Sequence, residues 1–105
     1  MIARGEVWLT RLDPTVGQEI QKTRPCLIVS PDDLAPHAWA VIVPLTSGSR
    51  QAPYRVPVRF NDRDGFLLPE QIRTVSRRRM TRRLGRVDAA TLSQTLATLR
   101  EMFED

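Results

Sequence analysis

Hydrophobic and polar positions alternate or cluster in short runs as far as residue 87, after which the period changes. Residues 5–12 alternate imperfectly and predict a first strand, ended by the turn-forming Asp13-Pro14 pair. Residues 26–29 form a short apolar run, partly β-branched, as a buried strand requires. Residues 38–43 repeat that signature and run on through Pro44 and Leu45 into a polar cluster beginning at Thr46. Residues 54–60 alternate cleanly, with Tyr54, Val56, Val58 and Phe60 on one face and Arg55, Pro57 and Arg59 on the other. Pro57 has no N–H to give to a ladder, so this strand belongs at an edge or a bulge. A turn is expected over residues 61–65 and a short strand over 66–68. An extended segment over 69–75, a turn over 76–79 and a last strand over 80–87 follow.

From Asp88 the apolar spacing becomes helical, at Leu92, Leu96, Leu99 and Phe103. Asp88 stands as the N-cap, and Val87 and Leu92 occupy the two positions of a hydrophobic staple. The fold class expected is mostly β: one domain over residues 1–105, a small antiparallel barrel with a C-terminal α-helix.

With 105 residues and 41% hydrophobic content, the chain suits a single compact core. Charges interrupt every apolar window, so no membrane span or signal peptide is expected, and a cytoplasmic location follows. Cys26 lies in an apolar strand with no second cysteine, and reads as a small core residue rather than a nucleophile. Net charge is +4, and of the 16 basic residues only Lys22 is a lysine. Arginine matches phosphate with a rigid fork of donors, so this bias suits nucleic acid, although coding bias alone enriches arginine too. Six arginines, Arg77, Arg78, Arg79, Arg82, Arg83 and Arg86, fall within eleven residues that contain no acid.

The candidate chemistry centres on residues 13–30, where a polar loop with Gly17 leads into the second strand. No cofactor or metal site is expected: ligand clusters and a Gly-rich phosphate loop are missing from the sequence, and His37 is the only histidine. What remains is Glu19, Arg24 and Thr46, with Gln71 and Arg73 further on. If the second and third strands pair antiparallel, Arg24 and Thr46 meet at one rim of the sheet.

Five segments carry a resemblance: Arg4-Gly-Glu-Val-Trp8, Leu12-Asp-Pro-Thr-Val-Gly-Gln-Glu19, Lys22-Thr-Arg-Pro25, Val43-Pro-Leu-Thr-Ser47 and Leu68-Pro-Glu-Gln-Ile-Arg-Thr74. In order and spacing the chain resembles the MazF/PemK family of toxin endoribonucleases. The resemblance implies a CcdB-like, SH3-type barrel that forms a homodimer and is neutralised by an acidic antitoxin. It also implies metal-independent cleavage of single-stranded RNA. Family catalytic roles fall by motif position on Arg24 and Thr46, with Glu19 in the loop. RNA contacts are expected from Gln18, Lys22, Gln71 and Arg73, and from the basic run at Arg77, Arg78 and Arg79. Members that use a histidine near the first loop have no counterpart here, since His37 lies elsewhere, so the proton acceptor stays open.

The residue types suit that chemistry. RNA carries its own nucleophile, the 2′-OH, so a protein need only align it, accept a proton and stabilise charge on the phosphoryl oxygens. Arg24 fits the last task and Thr46 can donate a hydrogen bond to a nonbridging oxygen. Glu19 is the better proton acceptor on acidity, given closure of its loop. Two readings from other classes remain: a non-catalytic gyrase poison of the CcdB type, and a non-catalytic RNA-binding barrel.

Overall fold

A computed structural model describes residues 2–34, 36–48 and 50–105. Seven strands form one curled antiparallel sheet: β1 Glu6–Arg11, β2 Thr23–Ile28, β3 Trp39–Thr46, β4 Val56–Phe60, β5 Arg63–Leu67, β6 Arg73–Ser76 and β7 Met80–Arg86. The hydrogen-bonded order is β4-β5-β3-β2-β1-β7. The eight-residue β3 has β2 on one side and, on the other, β6 along its first half and β5 at its end. The sheet is a half-barrel whose ends, β4 and β7, meet through side chains, the Phe60 ring lying over Gly85.

Period-2 alternation explains why β2 and β3 read as apolar runs: both faces are covered. Leu27, Val43 and Leu45 point to one cluster with Val7, Val56, Val58, Leu67 and Leu99. Cys26, Ile28, Ala40 and Ile42 point to a second, closed by Ile2, Leu12, Val75 and the half-buried Trp8, Ile20 and Met80. The first cluster is capped by α1, Ala89–Met102. Asp88 caps that helix as expected, its carboxylate accepting the Thr91 N–H at 2.7 Å. Leu99 is the helix's buried anchor, and truncating such a leucine to alanine costs roughly 2–5 kcal/mol.

Four expectations are corrected. Phe103 is 72% exposed, and Met102 packs on the core in its place, because the helix ends before Phe103 comes round. Tyr54 stands before β4 at φ 67°, exposed, so the inward face begins at Val56. The turn expected over 61–65 is only Asn61 and Asp62, both at positive φ, as a two-residue hairpin loop requires. Residues 63–65 therefore belong to β5. Pro69–Gln71 is one 3-10 turn, not extended chain, and extension resumes at Arg73.

Candidate functional site

The β2–β3 ladder pairs Cys26 with Pro44, Leu27 with Val43 and Ile28 with Ile42. The same register carried two residues further sets Arg24 opposite Thr46, at the rim. Both line a cleft of about 310 Å³ together with Pro25, Leu45 and Ser47. Arg24 is exposed, and its Nε donates to the Gln21 carbonyl at 3.0 Å, which leaves the two terminal nitrogens for a ligand. The Thr46 hydroxyl accepts from the Gly48 N–H at 3.4 Å and keeps its own proton to donate. This pair can neutralise and hydrogen-bond an anion.

Glu19 is not in that cleft. It lines a second one, of about 570 Å³, with Gln18, Gln71 and Arg73. Its carboxylate accepts the Val16 N–H at 2.6 Å and so folds its own loop. Gln71, held on the Pro69–Gln71 turn, accepts the Ile20 N–H at 2.7 Å and docks the loop onto the sheet. Arg73 reaches across to the Leu12 carbonyl at 3.2 Å. Lys22 sits at φ 68°, its N–H given to Asp13 at 3.0 Å and its carbonyl taken by Leu12. Its ammonium lies on an exposed residue.

The basic run divides. Arg79 donates to the Arg11 and Asp13 carbonyls while Arg11 donates back to the Arg78 carbonyl, so Arg79 is bound into the fold. Arg77 and Arg78 line a shallow groove with His37 and Ser76. Burial pushes the Cys26 thiol up to about 12, which agrees with its reading as a core residue. The Arg24 cleft also takes residues that the sequence did not single out: Phe60, Asn61 and Arg63 from the β4–β5 hairpin, and Leu84 from β7. Their signal was the clean alternation up to Phe60. The overlong turn hid where Arg63 lies.

Curled sheet and terminal helix together have the fold of the MazF toxins. The crystal structure of MazF from Deinococcus radiodurans matches with a TM-score of 0.86 at 22% identity, over 96% of this chain and 94% of that one. The chain belongs to the family of PemK-like, MazF-like toxins of type II toxin–antitoxin systems, whose family model matches residues 3–103. The endoribonuclease MazF9 of Mycobacterium tuberculosis is 34% identical over 105 residues, covering 90% of this chain and 89% of that protein. A mycobacterial endoribonuclease solved in complex with its cognate antitoxin matches at 27% identity and a TM-score of 0.79, over 96% of this chain and 93% of that one.

Proposed function

We propose that this toxin is an endoribonuclease that cuts single-stranded RNA without a metal, using the substrate's own 2′-OH to leave a 2′,3′-cyclic phosphate and a 5′-hydroxyl. The observation that carries this reading is the meeting of Arg24 and Thr46 in one rim cleft. Arg24 stabilises charge on the phosphoryl oxygens, and Thr46 donates to one of them. Glu19 takes the 2′-OH proton once the loop over residues 13–22 leaves its resting position, giving up the Val16 and Ile20 hydrogen bonds. Gln18, Lys22, Gln71, Arg73, Arg77 and Arg78 bind the flanking RNA. The working unit is a homodimer in the cytoplasm, and an acidic antitoxin neutralises it by binding the same basic surface.

The test is cleavage of single-stranded RNA by purified protein in chelator. Arg24→Ala is expected to lower the rate at saturation by about 10²–10³-fold, the size of a lost charge-stabilising donor. Its melting temperature should stay unchanged, since Arg24 is exposed. Retention of more than about a tenth of the wild-type rate removes Arg24 from that role.

A further inference from the structure

We propose that Arg63 is a substrate-binding residue that holds the RNA phosphate next to the one on which Arg24 acts; this rests on the endoribonuclease reading above. The two-residue turn at Asn61 and Asp62 fixes the register of the β4–β5 hairpin and pairs Phe60 with Arg63. Directly opposed residues share a face. Phe60 turns inward, its ring over Gly85, so Arg63 faces inward as well and lines the cleft with Arg24 and Thr46. On the hairpin's other face Arg59 pairs with Asp64 at 3.0 Å.

That pairing matters for the charge of the cleft. Asp64 is the one acid among the lining residues, and Arg59 already compensates it. Arg63 is exposed and its guanidinium makes no hydrogen bond or ion pair among the described residues. Two guanidiniums therefore face one cleft without an acid free to balance them. Their mutual repulsion is relieved by an anion, and successive phosphates on one strand supply two. Phe60 and Leu84 give the cleft an apolar wall on which the intervening nucleoside can rest. At about 310 Å³ the cleft stands at the small end of ligand sites, room for a nucleotide step and not for a long stretch.

The experiment compares wild type, Arg63→Gln, Arg63→Lys and Arg100→Gln on one single-stranded RNA, with KM and kcat followed over a range of salt. Arg63→Gln should raise KM about tenfold and leave kcat within about threefold, as loss of a ground-state phosphate contact does. It should also make the salt dependence of KM shallower by about 0.7 in log–log slope, the value of one phosphate contact to a single strand. Arg63→Lys should restore the slope. Arg100→Gln should match wild type, because it removes the same charge from an exposed position on α1, outside the cleft. Unchanged KM and slope in Arg63→Gln overturns the proposal. So does an equal loss in Arg100→Gln, or a fall in kcat alone. Failure of wild type to cut or bind RNA overturns the underlying reading instead, and is seen before any variant is compared.

Discussion

Glu6 ties the first strand to the last. It is 8% exposed; its Oε1 accepts the Ala3 N–H at 2.8 Å and the Trp8 indole N–H at 3.2 Å, and its Oε2 accepts from Arg83 Nε at 2.7 Å. Burial alone would raise its pKa, but the bonds from Trp8, Ala3 and Arg83 outweigh burial and hold the carboxyl below its ordinary value. A depressed folded pKa stabilises the fold above the ordinary carboxylate range, and that stability is lost as pH falls through the folded value. Glu6→Gln should therefore cost about 2 kcal/mol at neutral pH, as hydrogen bonds to a charged group are worth roughly 1.5–3. The gap to wild type in denaturant melts should shrink as the solution is acidified below the carboxylate range. A gap that stays constant with pH would mean the charge of Glu6 contributes nothing. Sequence pattern could not rank Glu6 above Glu19, because a polar residue in an alternating strand reads as solvent-facing whether or not an arginine 77 residues away comes to cover it.

The β4–β5 hairpin is the element that sequence reasoning placed least well and that the site depends on. Asn61 to Gly65 looked like one turn because the cluster is rich in turn residues. Only Asn61 and Asp62 turn; Gly65 is a strand glycine where two backbones approach closely. A Cβ there would stand 2.3 Å from the Thr46 carbonyl oxygen. Gly65 thus sets where Thr46 lies, as a positioning residue. Gly65→Ala should cost about 1–3 kcal/mol by overpacking. It should also lower kcat up to about 10²-fold, as small misplacements of a reacting group do, with KM for RNA nearly constant. A destabilised variant with wild-type kcat would show that cleavage does not need Thr46 where it stands. By contrast, β2, β3 and α1 were legible from sequence, since burial on both faces and a capped amphipathic helix each leave a local pattern. Phe103 misled because an apolar residue at helical spacing says nothing about where the helix stops.

Across the whole molecule, the +4 charge and the arginine run first read as one basic surface. The fold uses part of it internally: Arg79 binds the Arg11 and Asp13 carbonyls, Arg83 binds Glu6, and Arg86 binds the Arg4 carbonyl at 3.0 Å. Arg78 and Arg82 remain on exposed positions of that run, and Arg24 and Arg63 face the rim cleft. Charge counts along a chain cannot separate these uses, because the acids and carbonyls that take up an arginine come from distant segments. Exposed cations at these positions suit a polyanion, and the proposed reaction turns on that polyanion's 2′-OH. The most direct measurement replaces it: wild-type protein, in chelator, is given an RNA with a single 2′-deoxy nucleotide on the 5′ side of the cleaved bond, and the ends formed from the all-ribose strand are identified. The expected result is no cut at the deoxy position, with 2′,3′-cyclic phosphate and 5′-hydroxyl ends from the all-ribose strand. Ordinary cleavage of the deoxy strand, or ends bearing a 5′-phosphate, would contradict it and assign the attack to an activated water.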